Sequence, residues 1–358
     1  MFNTSEISTG RLLIELLKDP DRKSIFQIIA EVLYLSGSFR RFPRHYFSRY
    51  LFKKEKTNIR DYLPDKFLYD IKPIFNDKEV REVLENKLYF NFFYNQFGIC
   101  LPKILMYNHG KVFVIDKKTT VVSNAQEFRL ILTKLVKDNP ASNAIFVKKT
   151  CWSYGGDQIY KVFLNEVEKN PAMISRLYKQ VVKSGFIFQE TVKQHNKLDK
   201  LNPSCLNTIR LDTFIDRDDK IEIMSGYLRT SIKNSYVDNI SSGGCMIPVD
   251  LKTGELDKDG YSVLKVYGVK LMTEHPLTKT VFKDFSIPFF DEAKELVIKT
   301  AGLIPSLRLV GWDVGIGIDG PVLIEGNSDY DIAGNDLSYG GYRANPVFRK
   351  ALREINCL

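Results

Sequence analysis

Residues 311–327, GWDVGIGIDGPVLIEGN, consist of two apolar segments around the pair Asp319-Gly320, which is a strong β-hairpin signal. Three oxygen-bearing side chains interrupt the apolar segments, with Asp313 before the turn and Glu325 and Asn327 after it. Because successive side chains of a strand point to opposite faces, the pairing of the two strands determines whether these three side chains meet.

The length of the turn controls that pairing. A two-residue loop at Asp319-Gly320 would place Asp313 and Glu325 on opposite faces of the hairpin. A three-residue loop over 318–320, with its glycine in the left-handed conformation, places Asp313 directly across from Glu325 and puts Asn327 on the same face. Two carboxylates that close repel each other unless a cation lies between them, and hard oxygen ligands favour Mg²⁺ shared with phosphate groups. The alternative is a partly exposed hairpin with three unrelated polar residues.

A phosphate site is predicted upstream, in AIFVKKTCWSYGGDQ, residues 144–158. The pattern predicts a strand that ends in Lys148 and Lys149, followed by a loop with Gly155 and Gly156. Lysine ammonium groups and loop N–H groups bind phosphates, although the GxxxxGK[ST] motif of a P-loop is absent. Alternation along the strand allows only one of the two lysines to face a nucleotide. A Gly-Gly hairpin turn without a ligand is the alternative.

The next predicted strand, GFIFQETV over 185–192, is apolar until Gln189 and Glu190. Its end could present backbone groups to an adenine base, or it could be an ordinary strand end. Upstream, residues 1–85 are predicted to be helical, with a further helix over 77–88, and strands dominate after residue 100. This mixture indicates an α+β protein with mainly antiparallel sheets.

The composition favours a folded cytoplasmic protein with anionic partners. Of 358 residues, 44% are apolar and 27% are charged, and the formal net charge is +9. Five scattered cysteines without a CxxC pair predict reduced thiols and no zinc site. The N-terminus lacks a signal-peptide pattern, and no apolar segment approaches the ~20 residues of a membrane-spanning helix.

One segment, FRRFPRHYFSRYLFKKEKTNIR over 39–60, carries eight Lys or Arg residues, one Glu and six aromatic residues. This combination is typical of an interfacial membrane patch or of a nucleic-acid surface. The alternative is a solvated helix whose aromatic residues face the core.

The order of the motifs resembles the ATP-grasp superfamily: a lysine strand, a glycine loop, a Gln-Glu strand, an arginine hairpin and then Asp…Glu-x-Asn. More narrowly, SCLNTIRLDTF, YVDNISSGG, VDLKTGEL, EHPLT and GWDVGIGIDGPVLIEGN resemble the sugar-transfer-associated ATP-grasp family, whose members accompany bacterial surface-polysaccharide genes. The resemblance covers residues 85–345. It implies the ATP-grasp fold, in which two α+β lobes with mainly antiparallel sheets grip ATP, after a helical N-terminal region. The corresponding domains are 1–85, 86–190 and 191–358.

The resemblance also implies the roles of individual residues. Arg210 and Arg229 would be catalytic, facing the phosphoryl group or the acceptor carboxylate. The remaining assignments are Asp313, Glu325 and Asn327 for two Mg²⁺ ions; Lys87, Lys148, Gly155, Gly156, Gln189, Glu190 and Val192 for ATP; and Asn207, Asp238 and Asn239 for the substrate. The segment that holds Asp238 and Asn239 could close over the acceptor as a lid or could simply be a loop.

The implied activity is that of an ATP-dependent carboxylate–amine ligase. It would convert the carboxylate of a sugar acid or an amino acid to an acylphosphate and then to an amide with an amine acceptor, in cell-surface polysaccharide or capsule biosynthesis. A lipid-linked glycan, or an anionic membrane surface at the inner face, would explain residues 39–60, and no nucleic-acid partner is expected. One alternative is a kinase of the same fold. Another is a non-catalytic protein that binds membranes or nucleic acids, which would leave the 311–327 hairpin unexplained.

Overall fold

The structure is a computed structural model that describes residues 16–17, 19–138, 144–151, 158–236, 238, 243–264 and 268–357. Its centre consists of two antiparallel sheets, one of six strands and one of seven. The strands are β1 (Ile104–His109), β2 (Val112–Ile115), β3 (Lys118–Val121), β4 (Ala144–Lys149), β5 (Ile159–Phe163), β6 (Gly185–Glu190), β7 (Thr208–Ile215), β8 (Ile221–Ser231), β9 (Gly244–Pro248), β10 (Gly260–Leu264), β11 (Gly268–Met272), β12 (Leu309–Gly317) and β13 (Gly320–Asn327).

The helices lie on the outer faces of the sheets and at the N-terminal side. They are α1 (Ile25–Phe39), α2 (Arg44–Ser48), α3 (Asp65–Phe75), α4 (Glu82–Glu85), α5 (Lys87–Gln96), α6 (Ala125–Lys137), α7 (Leu164–Lys169), α8 (Pro171–Val181), α9 (Asn196–Leu201), α10 (Phe290–Gly302), α11 (Ile332–Tyr339) and α12 (Pro346–Glu354), with short 3-10 turns at Ile59–Asp61 and Tyr342–Ala344.

The smaller sheet has the strand order β3-β2-β1-β6-β4-β5. Its apolar face packs against α6 and α8, because both helices carry a stripe of buried apolar residues. The core between them includes Phe128, Phe188 and Val147. The opposite face of the sheet, with Phe146 and Lys148, is therefore left for the second lobe.

The larger sheet has the strand order β11-β10-β9-β8-β7-β12-β13. One face packs on α10 through residues such as Leu211, Val310 and Trp312. Helix α5 also packs against this core, with the Tyr94 ring 6.0 Å from that of Trp312. Helix α5, which begins the predicted nucleotide lobe over 86–190, thus packs on the larger sheet through Tyr94 and lies against the smaller sheet through the Phe92–Tyr107 ring contact.

The N-terminal region packs against the C-terminal end of the chain. Helix α3 forms one apolar cluster with α12 and with Phe214 of β7, and the Asn76 side chain donates to the carbonyl oxygens of Leu309 and Ser328. Arg49 lies between Asp65, at 2.5 Å, and Asp336 of α11, at 2.6 Å. The region is thus a brace on the larger lobe.

The predicted α+β class with two mainly antiparallel sheets is confirmed. The helix predicted over 77–88 was wrong, because Asn86 is extended and its side chain accepts hydrogen bonds from the Leu88 and Tyr89 N–H groups. Asn86 is therefore the N-cap of α5, and the helix begins at Lys87. Of the six aromatic side chains of 39–60, two are buried in a core cluster, three pack against that cluster and Phe42 is exposed, so the alternative predicted for this segment holds only in part.

Candidate active site

The hairpin of β12 and β13 places Asp313 directly opposite Glu325. The predicted three-residue turn was wrong, because Gly317 pairs with Gly320 and the loop contains only residues 318–319. An extra residue in β13, Ile324, forms a bulge that shifts the pairing by one position before Glu325. The bulge thus has the effect on register that a longer turn would have had, and the predicted pairing of the two carboxylates is confirmed.

Two arginines hold the Asp313 carboxylate. Arg210, on the neighbouring strand β7, is paired with Asp313 across the sheet, and its Nε lies 2.6 Å from Oδ1. Arg229, on β8, reaches the other oxygen, with Nη2 at 2.7 Å from Oδ2. All three side chains are buried. The Asp313 carboxylate is therefore shared between two guanidinium groups.

The electrostatics of this cluster follow from burial and charge. Burial disfavours the charged form of Arg210, but the Asp313 carboxylate outweighs burial and raises the pKa of Arg210 well above its usual value. Burial would likewise raise the pKa of Asp313, but the two guanidinium groups hold this pKa below its usual value. The site therefore presents permanently charged arginines.

Asp238 stabilises Arg229 from the other side. Its Oδ2 lies 3.7 Å from the Arg229 Nε and accepts hydrogen bonds from the hydroxyl and the backbone N–H of Thr208. The Thr208 hydroxyl oxygen in turn accepts from Arg229, at 2.7 Å from Nη2. Burial raises the pKa of Asp238, although Arg229 and Thr208 oppose this effect. Asp238 is thus placed to orient Arg229.

A second group of charges surrounds Glu325 in a cavity between the two sheets. The cavity is lined by Lys87, at the first position of α5, by Lys148 and Gln189 from the smaller sheet, and by Ile324 and Glu325 from the larger one. The Lys87 Nζ lies 3.5 Å from the Glu325 Oε1. Both lysines predicted for ATP therefore line the cavity that also contains Glu325, one carboxylate of the Asp313–Glu325 pair.

Lys148, and not Lys149, lines this cavity. Its ammonium group lies 5.4 Å from the centre of the Phe146 ring, on the face of β4 away from the Val147 core side. Burial, together with the neighbouring Lys87 charge, lowers the pKa of Lys148 to about 8. The group is thus poised for an anionic partner, which would favour its charged form.

The segment after β6 connects the two lobes. The Glu190 side chain accepts from the Lys103 N–H at 2.9 Å, and the Glu190 N–H donates to the Lys103 carbonyl. Gln189 faces the cavity and donates to the Pro102 carbonyl. Val192 follows in the connecting segment, which joins the larger sheet where the His195 N–H donates to the Ile316 carbonyl.

Asn207, which is predicted to contact the substrate, lies inside the larger lobe. It is fully buried, and its amide donates to Gln194 Oε1 and to the carbonyl oxygens of Leu198 and Asn202. Since its amide hydrogens donate to groups inside the lobe, Asn207 holds α9 in place. The predicted Gly155, Gly156 and Asn239 lie outside the described residues.

Two further charged residues lie on strand faces that carry predicted site residues. Lys161 pairs with Phe146 across β4 and β5, and its Nζ lies 5.7 Å from the Phe146 ring centre, so it shares the face of Lys148. Asp212 lies two residues after Arg210 on β7 and accepts from Ser225 at 2.8 Å, while burial raises its pKa to about 7. Strand alternation from Arg210 could have placed Asp212 on the same face, whereas the position of Lys161 also depends on the pairing of β4 with β5.

The donor set near Glu325 fits Mg²⁺. Glu325 is only partly buried and Asn327 lies two residues further along β13, so both present oxygens of the kind that Mg²⁺ prefers. Asp313 gives one acceptor position of each oxygen to an arginine, and a carboxylate has roughly four such positions, which leaves some for a cation. In the described part of the chain, no cluster of three or more His, Cys, Asp and Glu side chains is arranged to hold a metal.

The two antiparallel sheets with a charged cleft between them are those of an ATP-grasp protein. The sequence model of the sugar-transfer associated ATP-grasp family matches residues 67–345. Because the match covers well over half of the chain, the chain belongs to this family.

Solved structures show distant similarity. A D-alanyl-alanine synthetase from Vibrio cholerae is 11% identical, with 76% of this chain and 65% of that chain covered and a TM-score of 0.44. A D-cycloserine synthetase is 15% identical, with coverages of 80% and 73% and a TM-score of 0.43. An ADP complex of an N5-carboxyaminoimidazole ribonucleotide synthetase is 9% identical, with coverages of 70% and 46% and a TM-score of 0.41. This chain thus spans less than two thirds of the first and third of these proteins. No curated protein sequence matches it significantly.

Proposed function

We propose that this chain is an ATP-dependent carboxylate–amine ligase that forms an amide through an acylphosphate. The observation that carries the proposal is the pairing of Asp313 with Glu325 between two groups of cations. Lys87 and Lys148 lie on the Glu325 side, and Arg210 and Arg229 lie on the Asp313 side. Such an arrangement suits a phosphoryl group that moves from one anion to another.

The Glu325 side is the proposed nucleotide site. Lys87 and Lys148 would bind the ATP phosphates. Burial and the Lys87 charge lower the pKa of Lys148, and the phosphate charge would oppose this effect. The strand end at Gln189 and Glu190, followed by Val192, would hold the adenine by backbone groups. Lys161 adds a further cation on the same face.

The Asp313 side is the proposed acceptor site. Arg210 and Arg229 would hold the acceptor carboxylate and the transferring phosphoryl group, because guanidinium groups form paired hydrogen bonds with such oxygens. Asp238 and Thr208 would keep Arg229 in position. Mg²⁺, as two ions bound by Asp313, Glu325 and Asn327, would supply neutralisation of phosphate charge in this site.

The proposed reaction has two steps. An acceptor carboxylate oxygen attacks the γ-phosphorus, the bond to the β-phosphate oxygen breaks, and ADP leaves. The amine nitrogen then attacks the acyl carbon, inorganic phosphate leaves, and the amine loses a proton to solvent. The chain positions the reactants and stabilises their charge, and neither step requires a nucleophilic side chain.

The acceptor is proposed to be a sugar acid or an amino acid, and the product a precursor of a cell-surface polysaccharide. The support is the family description, which connects these ATP-grasp proteins with sugar transfer. A precursor on a lipid carrier would place the reaction at the inner face of the membrane, which agrees with the basic character of residues 39–60.

The test is calorimetric binding of a non-hydrolysable ATP analogue to the wild type and to Glu325→Gln, with and without Mg²⁺. We expect binding that depends on Mg²⁺ and that the substitution weakens about tenfold or more, roughly 1.4 kcal/mol. Leu130→Ser, on the exposed face of α6, is the matched control and should leave binding unchanged. Absence of nucleotide binding to the wild type would rule out the proposal.

Product analysis separates the ligase from a kinase. Uronic and amino acids are screened as acceptors in the presence of an amine, and both released phosphate and the amide are measured. Release of phosphate together with an amide supports the ligase. A stable phosphorylated hydroxyl without free phosphate would instead identify a kinase.

A further inference from the structure

Helix α1 has an outward face without charge. Its one charged residue, Glu31, points inward, where its carboxylate lies 2.9 Å from the Lys23 Nζ and accepts from the Tyr46 hydroxyl at 2.6 Å. Ile28 and Leu35 are buried on that inner side. A helix on a protein surface usually carries charged residues toward water, so the composition of the outer side requires an explanation.

The outer side is an apolar stripe. Phe26 is 87% exposed, Ile29 51% and Leu33 66%, and they follow one another at spacings of three and four residues, which places them on one face. Gly37, one turn further, has open space beside it. Three large apolar side chains in a row are more than the scattered exposure that is normal on a soluble surface.

Basic residues continue this stripe at its C-terminal end. Arg40, Arg41 and Arg44 are exposed, and the Arg60 guanidinium carbon lies 4.6 Å from the centre of the Tyr34 ring on α1. Within the same stretch of chain, Phe42 is exposed as well. The apolar stripe and the arginines form one surface, here called the α1 surface: Phe26, Ile29, Leu33, Tyr34, Arg40, Arg41, Phe42, Arg44 and Arg60.

We infer that the α1 surface binds lipid membranes that contain anionic headgroups. An apolar stripe inserts among acyl chains, while neighbouring arginines pair with headgroup phosphates, and the two contributions add. Because these cations lie beside the stripe, charge complementarity favours an anionic lipid surface over a neutral apolar partner. None of the helices in the described ranges is both long and apolar enough to span a membrane. The contact that we infer is that of a helix lying in the plane of the interface, with its apolar stripe toward the acyl chains.

This inference deepens the proposed function, on which it rests only for the location of the reaction, because it names the surface and the lipid class that would hold the chain at a membrane. The α1 surface lies on the N-terminal brace and contains none of the cleft residues. Membrane binding and nucleotide binding are measured separately, so either property can be lost without the other.

The test is flotation of the full chain with vesicles of phosphatidylcholine and phosphatidylglycerol, and with vesicles of phosphatidylcholine alone. We expect the wild type to float with the mixed vesicles and at least about tenfold less with the neutral ones. The double variant Phe26→Ser, Leu33→Ser should reduce binding to the mixed vesicles about tenfold or more. Arg40→Glu, Arg41→Glu should do the same and remove the preference for anionic lipid.

Matched controls are available in the smaller lobe. Leu130 is 67% exposed on α6, so Leu130→Ser is the counterpart of Leu33→Ser. Lys179, exposed on α8, provides the charge control as Lys179→Glu. Thermal unfolding and binding of the ATP analogue establish that each variant is folded. A wild type that does not float, or controls that bind as weakly as the α1 variants, would overturn the inference.

A second measurement reports insertion of the helix itself. Phe26→Trp should show a blue-shifted emission that brominated acyl chains quench, whereas Leu130→Trp should show neither effect. Sedimentation velocity tests whether a second copy of this chain, instead of lipid, covers the α1 surface. A dimer that the Phe26→Ser, Leu33→Ser variant converts to monomer, without vesicle binding by the wild type, would assign the surface to self-association instead.

Discussion

Lys148 is a residue whose acid–base behaviour is changed by the environment of the cleft. A free lysine has a pKa near 10.5, but burial and the Lys87 charge lower the pKa of Lys148 to about 8, while Glu325 and Asp238 oppose this effect. Only the protonated form attracts phosphate. The contribution of Lys148 to ATP binding should therefore be present below about pH 8 and be lost as the pH rises.

The affinity for the ATP analogue should therefore depend on pH, and a substitution of Lys148 should remove this dependence. The affinity of the wild type for the ATP analogue should fall several-fold between about pH 7 and about pH 9, because the analogue must then bind with uptake of a proton. Lys148→Arg should bind with much weaker pH dependence, since a guanidinium stays charged throughout. Calorimetry in buffers of different ionisation enthalpy measures both the affinity and the proton uptake.

Lys149→Arg is the matched control, because Lys149 follows Lys148 on β4 but does not line the cavity. It should keep the pH dependence of the wild type. If the wild type bound equally well at both pH values, Lys148 would not contribute a titrating charge to the nucleotide site.

At the scale of the element, the bulge in β13 determines where the proposed metal ligand Glu325 points. Leu323 pairs with Val314 in the core, and Glu325 pairs with Asp313 in the cleft, so one residue between them is extra. Removal of Ile324 would straighten the strand and still leave Glu325 opposite Asp313. An inserted residue at the same place would need a wider bulge or would turn Glu325 toward the core.

Deletion and insertion should therefore have unequal effects. Deletion of Ile324 should keep Mg²⁺-dependent binding of the ATP analogue within about fivefold of the wild type, whereas insertion of one alanine after Ile324 should weaken it about tenfold or more. Calorimetry measures both, and circular dichroism checks that each variant is folded. A deletion variant as defective as Glu325→Gln would show that the bulge itself is required.

The sequence pattern predicted the strands that carry the site. It did not predict the contacts between side chains within the site. Alternation and the turn signal predicted β12 and β13, and the lysine, Gln-Glu and arginine strands were also found. The bulge could not be predicted, because it depends on packing Leu323 into the core. The contacts of Asp313 with Arg210 and Arg229 could not be predicted either, because three separate strands supply them.

At the scale of the whole molecule, the N-terminal helices and the larger lobe are joined through a buried charge pair. Asp336 is fully buried, and Arg49 is the cation beside it. Burial raises the pKa of Asp336 to about 6 in spite of Arg49, which shows how much the carboxylate depends on its partner. Sequence alone could not show this contact, because the residues are far apart in the chain.

Loss of the Arg49 charge should destabilise the folded protein. Arg49→Gln leaves a buried carboxylate without a charge partner and should lower the free energy of unfolding by about 3–5 kcal/mol. Asp65→Asn removes the other, 58% exposed partner of Arg49 and should lower it by at most about 1 kcal/mol. Urea denaturation followed by circular dichroism gives both values. Equal effects of the two substitutions would contradict a brace role for the Arg49–Asp336 pair.

The strand order of the larger sheet also has a consequence for synthesis of the chain. Strand β7 lies between β8 and β12, and β12 begins only at Leu309. A ribosome must therefore add about a hundred residues before one edge of β7 finds its partner, roughly five to twenty seconds at ordinary elongation rates. Throughout that interval the unpaired N–H and C=O groups along one edge of β7, whose residues are all buried in the finished fold, are open to other nascent chains. Fragments that stop before β12 should accumulate as aggregates. The nascent chain must therefore be kept from aggregating during this interval if the complete protein is to be made in quantity.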